Sequence, residues 1–200
     1  MNYNFDAARP TASVTLITGE RSSGKSTLCY RLYRRAVELG NPICGVVSVA
    51  VYDSLQEKIG FDALNLDSQR SAPLARKDGT LVGSRWACYT FSDDVVNECV
   101  SSTVAALDNG VDLLVLDEIG PLELTASRGF LPILKYLESS GLPSETYVVV
   151  RPSLAAELER FFQSCRTAAN LRSVQVTTEN RDSLARGMAS SLAADGSGAD

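Results

Sequence analysis

Apolar residues in this chain follow two alternating rhythms. Short, nearly unbroken aliphatic and β-branched runs recur at 13–18 (SVTLIT), 43–51 (ICGVVSVAV), 112–120 (DLLVLDEIG), 146–150 (TYVVV) and 173–178 (SVQVTT). Runs of this kind are expected of parallel strands buried on both faces. Between them, apolar positions recur every three or four residues, which is the spacing of a helix that buries one face. Leu28, Leu32, Ala36 and Leu39 form one such stripe, with Gly40 as its stop. Val96, Val100, Val104 and Leu107 form another, with Ser92 as cap, Asp93 and Asp94 at its positive end, and Gly110 beyond it. Phe130, Leu134 and Leu137 mark a third, LAAELERFFQS after a Ser153 cap a fourth, and 181–192 a fifth.

The texture differs over 52–91. Ile59, Phe61 and Ala63 alternate with Gly60, Asp62 and Leu64, and Trp86, Cys88 and Thr90 alternate with Ala87, Tyr89 and Phe91. Period-two alternation with polar turns such as Lys77-Asp78-Gly79-Thr80 predicts antiparallel strands. The expectation is a three-layer α/β fold with a mostly parallel sheet, in one domain over 1–192 that carries a β-hairpin insertion at 52–91. Residues 193–200 are small and polar and are expected to form a disordered tail. Two hundred residues hold one full core and leave little room for a second.

Composition narrows the chemistry. A formal charge of −5 argues against a nucleic-acid surface, and the one basic cluster, Arg31, Arg34 and Arg35, reads as the solvated face of a helix. The N-terminus lacks the basic and apolar regions of a signal peptide, and no apolar run approaches the roughly 20 residues that span a bilayer. Five scattered cysteines (Cys29, Cys44, Cys88, Cys99, Cys165) without a C-x-x-C pair fit reduced, mostly buried thiols in a cytoplasmic protein. There is no histidine, so imidazole acid–base catalysis and imidazole metal ligation are excluded.

The first strand runs into Gly19-Glu20-Arg21-Ser22-Ser23-Gly24-Lys25-Ser26-Thr27 and then into the first helix. G-x-x-x-x-G-K-S between a strand and a helix is the pattern of a phosphate loop. Gly19 and Gly24 let backbone N–H groups turn inward into an anion nest at the positive end of the helix. Lys25 supplies a mobile charge for the β- and γ-phosphates, Ser26 a hydroxyl for Mg²⁺, and Thr27 a hydroxyl within reach of the α-phosphate. Ser22 stands where the commoner kinase form of the loop has a middle glycine. It is either a tolerated replacement or, with Arg21, an added contact to the γ-phosphate or a lid.

The strand LLVLDEIG ends in two carboxylates about ninety residues further on. Beside a phosphate loop, Asp117 is placed to hold Mg²⁺, and Glu118 to orient and deprotonate a water for in-line attack. Phosphoryl transfer needs mainly positioning and charge stabilisation, so Glu118 and Lys25 are the candidate catalytic pair.

The loop, LLVLDEIGPLEL (113–124) and VTTENRDSL (176–184), with GFDALNLDSQRSAPLAR (60–76), together resemble the cancer-related/thermophile nucleoside-triphosphatase family. The similarity covers most of 13–186. It implies a stand-alone P-loop domain of RecA-like fold that needs Mg²⁺ and uses Glu118 to activate water. It also implies slow hydrolysis of ATP, GTP and other nucleoside triphosphates with little base preference. Two departures stand out: Arg21-Ser22 replaces a Pro-Gly pair, and Tyr52 and Lys58 stand in a strand that tends to be arginine-rich. Arg70 and Arg76 are then the remaining candidates for a cation acting on the transferred phosphate, each equally readable as a surface charge.

After the last strand, Asn180 could hydrogen-bond a purine edge and Arg181 stack on it, or the segment could simply start a helix with Thr178 as cap and Asp182 in its first turn. Glu123 could brace the loop or an arginine. Trp86, Tyr89 and Phe91 read as packing residues, one of which could stack on a base, and Phe161 and Phe162 as core. Two other readings share these residues. One is a nucleotide or small-molecule kinase whose 52–91 segment closes over an acceptor. The other is a slow nucleotide-dependent switch presenting that segment to a protein partner.

Overall fold

The computed structural model describes residues 12–195. The N-terminal segment and the end of the expected tail lie outside these residues. Five parallel strands carry the core of the sheet: β1 (Ala12–Thr18), β2 (Cys44–Tyr52), β7 (Leu113–Ile119), β8 (Glu145–Val150) and β9 (Ala169–Gln175). Beyond β2 the sheet continues antiparallel through β3 (Lys58–Asn65), β4 (Arg70–Arg76), β6 (Tyr89–Phe91) and β5 (Arg85–Trp86). The strand order is β5-β6-β4-β3-β2-β7-β8-β1-β9, one sheet of nine strands. The 52–91 segment therefore extends the main sheet edge to edge.

Helices cover both faces, which makes the three layers. α1 (Lys25–Leu39) and α6 (Arg181–Asp195) lie over one face, where Leu28, Leu32, Ala36, Ala185, Met188 and Leu192 pack on Ile17, Val115, Tyr147 and Val149. α2 (Asp93–Asp108), α4 (Leu131–Ser140) and α5 (Ala155–Ser164) lie over the other, around Leu16, Leu114, Leu116 and Val148. Along β7, Leu113 and Val115 face the first of these cores and Leu114 and Leu116 the second, as the pleat requires. The two cores bury β1, β7 and β8 almost completely, which is why these strands read as unbroken apolar runs.

Several boundaries differ from the sequence pattern, each for a local reason. RWACYTF is not one strand: Ala87, at a φ of 52°, turns the chain so that Trp86 pairs back on Tyr89. The most buried stripe of α2 is Cys99, Thr103 and Ala106, while Val96, Val100 and Leu107 pack at its margin. Ser92 does cap α2, its hydroxyl accepting from the Val95 N–H at 3.3 Å. Ser153 caps nothing, because Pro152–Leu154 form a single 3-10 turn ahead of α5. β9 lies four residues earlier than its apolar run suggests, since its register is set by pairing with β1 rather than by its own sparse pattern. A one-turn helix, α3 (Pro121–Leu124), follows β7 without an apolar signature.

Of the five free cysteines, Cys29, Cys44, Cys99 and Cys165 are buried and Cys88 is exposed. Burial pushes the Cys29 thiol well above its ordinary value, which keeps it protonated and inert. No helix among the described residues is long and apolar enough to cross a membrane.

Candidate active site

The C-terminal ends of the parallel strands open into one cleft of about 1770 Å³. Ligand sites of open α/β sheets lie at this edge. β8 separates β1 from β7. The loop after β1 and the acidic end of β7 therefore flank the end of β8, and all three meet at the cleft. Gly19, Glu20, Arg21, Ser22, Gly24, Lys25, Ser26, Thr27, Asp117 and Glu118 line it together, from segments about ninety residues apart.

The loop's shape depends on two glycines. Gly19, at a φ of 146°, would place a side-chain carbon 2.4 Å from the Val176 carbonyl oxygen. Gly24, at a φ of 99°, is the left-handed N-cap of α1 and carries the aliphatic part of Arg181 on its bare face. Ser22 adopts a φ of 64° in the same loop. It thus holds the left-handed conformation of the glycine it replaces. That conformation costs a side-chain residue about 1–2 kcal/mol, and glycine's extra freedom in the unfolded chain offsets roughly 0.5–1 kcal/mol of any relief. Ser22→Gly is expected to stabilise the protein by less than about 1 kcal/mol, a rise of roughly 1–3 °C in a thermal melt. An unchanged or lower melting temperature would mean the serine side chain supports the loop.

Lys25 Nζ donates to the carbonyls of Gly19 at 2.8 Å and Glu20 at 2.7 Å, so the ammonium lies folded across the loop. The Ser23 hydroxyl is buried beneath the loop without a hydrogen-bond partner. Asp117 is buried, and Ser48 fixes it twice: the Ser48 N–H donates to Oδ2 at 3.3 Å and its hydroxyl to the Asp117 carbonyl at 2.5 Å. Burial pushes the Asp117 carboxyl up to about 7, with Glu118 adding to the rise and the Ser26 hydroxyl opposing it by hydrogen bonding. A desolvated carboxylate touching a hydroxyl is a pair of hard oxygen donors that a divalent cation would satisfy. Among the described residues no group of three His, Cys, Asp or Glu side chains could hold a metal ion, so a cation here would complete its shell with phosphate and water.

Glu118 is about one-third exposed and faces the cleft. Its Oε1 accepts from Arg151 Nε at 3.0 Å. Both side chains reach solvent, and exposed pairs of this kind contribute only about 0–1 kcal/mol. The contact orients Glu118 without locking it. Sequence reasoning missed Arg151. The available signal was a cation directly after the buried strand TYVVV, at the edge where ligands bind.

Glu123 braces the turn that carries Glu118. It is buried, and its two oxygens accept from the backbone N–H of Gly120 at 2.9 Å and of Phe130 at 3.2 Å. Burial raises its carboxyl above the usual range, against these two bonds. Removing the carboxylate strands two buried donors, each worth about 1–3 kcal/mol. Glu123→Ala is expected to lower unfolding stability by about 2–4 kcal/mol, and Glu123→Gln, which keeps one acceptor, by less. Chemical denaturation measures both, and equal losses would exclude the bracing role.

Neither Arg70 nor Arg76 lines the cleft. Arg76 is held against the sheet by Asp62 at 2.5 Å and by the Phe61 and Ala75 carbonyls. Arg70 is exposed beside Glu98 of α2 at 3.9 Å. The cations that do line the cleft from this segment are Lys58, whose Nζ lies 3.6 Å from the Phe61 ring centroid, and Lys77. Burial and then Arg21 hold its ammonium below the ordinary lysine range, while Glu118 and Asp117 draw it up. Lys58 thus lines the same cleft as Arg21, Asp117 and Glu118.

The loop after β9 is shaped by Asn180. Its Oδ1 accepts from the Thr177 N–H at 2.8 Å and its Nδ2 donates to the Gln175 carbonyl at 2.9 Å. The amide serves the loop's own backbone, and Asn180 is absent from the cleft wall. Thr178 is not the cap of α6. Its hydroxyl bonds Glu179 at 2.8 Å, while the Arg181 N–H donates to the Thr177 carbonyl at 3.1 Å. Asp182 pairs with Arg31 at 2.6 Å and with Arg181 at 3.0 Å, tying α6 to α1 beside the phosphate loop.

Comparison with known proteins agrees with this geometry. A family model described as NTPase matches residues 14–189. The nucleoside-triphosphatase THEP1 of Hyperthermus butylicus is 31% identical over 86% of this chain and 87% of its own length. That of Thermofilum pendens is 29% identical over 89% and 94%. The crystal structure of THEP1 from Aquifex aeolicus superposes with a TM-score of 0.62 at 17% identity, covering 90% of this chain and 98% of that one, which shows a shared fold. The chain is a member of the NTPase family.

Proposed function

We propose that this protein is a Mg²⁺-dependent nucleoside triphosphatase that releases phosphate from ATP, GTP and related triphosphates to water. The observation that carries this reading is the meeting of the Lys25–Ser26 loop with Asp117 and Glu118 in one cleft. The backbone N–H groups from Gly19 to Gly24 and the N-terminus of α1 receive the phosphates. Lys25 leaves the Gly19 and Glu20 carbonyls and spans the β- and γ-phosphates. Asp117 and Ser26 would hold Mg²⁺, which supplies charge neutralisation to the leaving oxygens. Glu118 accepts a proton from the attacking water, and Arg151 keeps that carboxylate directed at the cleft.

Lys58 takes the place of the expected arginine, offering positive charge to the γ-phosphate from the antiparallel edge. Arg181 does not line the cleft but packs against Gly24 of the phosphate loop, so the base would reach the 176–181 loop, which Asn180 holds in shape, from the loop's outer side. The Asn180 amide is engaged by the Thr177 N–H and the Gln175 carbonyl of its own loop, which supports a broad base preference.

Phosphate release measured across a panel of nucleoside triphosphates tests the proposal. Release from several bases without any added acceptor is expected, with loss of activity on chelation and recovery with Mg²⁺. Turnover only in the presence of an acceptor would replace hydrolysis by a kinase reaction. Activity that survives chelation would remove the Asp117–Ser26 metal site.

A further inference from the structure

The cleft is larger than one nucleotide requires. Sites for ligands of that size run to about 300–1,000 Å³, against about 1770 Å³ here. The phosphate loop occupies the α1 side. The cleft also runs past Glu118 to the antiparallel edge, where Phe61, Lys77, Trp86 and Tyr89 line it. Phe61 and Tyr89 lie 5.4 Å apart, centroid to centroid, and Tyr89 and Phe91 6.5 Å. Lys58 and Lys77 stand over this aromatic row, at 3.6 Å from the Phe61 centroid and 5.7 Å from the Tyr89 centroid. Among the described residues Arg21, Lys58 and Lys77, which all line this cleft, make no ion pair. With Lys58 given to the triphosphate, the unpaired Lys77 beside the tilted Phe61, Tyr89 and Phe91 rings and Trp86 forms a receptor for an anion joined to a flat ring, because the rings offer aromatic surface and Lys77 supplies charge.

We infer that the wall formed by Phe61, Lys77, Trp86 and Tyr89 binds a second ligand, a planar aromatic molecule bearing a phosphate or similar anion, while a triphosphate occupies the phosphate loop. This rests on the loop being the triphosphate site. The second ligand lies on the Glu118 side of the cleft, opposite α1. Trp86 is the chain's single tryptophan, so its fluorescence reports this wall alone.

The test uses the intact protein with Mg²⁺ and a saturating non-hydrolysable triphosphate analogue, whose own binding is measured first by calorimetry. AMP and GMP are then titrated by calorimetry and by Trp86 fluorescence. Saturable heat with a parallel change in fluorescence is expected. Adenosine, lacking the anion, and inorganic phosphate, lacking the ring, should each bind at least about tenfold more weakly. Lys77→Glu should weaken the monophosphate by about tenfold, as attraction turns to repulsion, and leave analogue binding unchanged. Lys77 is exposed, so the variant retains the fold. The inference is overturned by any of four results: no heat, heat with no fluorescence change, binding that the analogue displaces, or equal affinity in Lys77→Glu. Inorganic phosphate binding as tightly as the monophosphates would overturn the aromatic part. Failure of the analogue itself to bind would instead overturn the phosphate-loop reading.

Discussion

Replacing Glu118 by Gln should lower the rate of phosphate release by about 10²–10⁴-fold, the range that a positioned general base contributes. Nucleotide affinity should change little. The reason is where Glu118 sits: it ends β7 next to the buried Asp117, yet a third of its side chain remains open to the cleft. The amide of glutamine keeps the size and can still contact Arg151 through its oxygen, but it cannot take a proton from water. Single-turnover phosphate release and calorimetry with a non-hydrolysable analogue separate the two effects. Loss of binding along with turnover would mean that Glu118 holds the loop or the metal. Persistent release would assign water activation to another group, and without a histidine in the chain the alternatives are few.

Lys25→Ala should reduce kcat/KM by about 10²–10³-fold, the cost of removing one preorganised charge from a developing phosphate oxyanion. Two effects combine here. The ammonium is lost as a partner for the β- and γ-phosphates, and the loop loses the bonds to the Gly19 and Glu20 carbonyls. Lys25→Arg distinguishes them, because it keeps charge but carries a planar fork in place of a point donor. Analogue binding lost in the alanine variant and partly kept in the arginine variant is the expected pair of results. Equal affinity in all three proteins would show that backbone N–H groups alone hold the phosphates.

How legible the site was depends on whether its chemistry is local. The phosphate loop is contiguous, and its demands on Gly19, Gly24, Lys25 and Ser26 are backbone demands that residue type reveals directly. Asp117 and Glu118 end an apolar strand, so the same reading reached them. Arg151 and Lys58 escaped it because neither lies in a motif. Arg151 becomes relevant only because β8 lies between β1 and β7. Lys58 does so only because β3 pairs with β2, bringing its end to the cleft that Arg21 also lines. Arg70 and Arg76 carried the same charge but were assigned by position in the segment. Pairing sends Arg76 to Asp62 and leaves Arg70 exposed beside Glu98.

The sequence alone determined the alternation of strands and helices, the mostly parallel sheet, the phosphate loop and the acidic strand end. Each follows from periodicity or from backbone constraints acting over a few residues. Tertiary structure alone decided which distant groups share the cleft. Sheet order and strand register are set by the burial of whole faces against α1, α6, α2, α4 and α5, and no short window of residues carries that information. It also decided the meaning of Ser22. Its backbone is held in the left-handed conformation by a loop closed over Gly19 and Gly24, so a position that looked like a lost glycine keeps the glycine's shape.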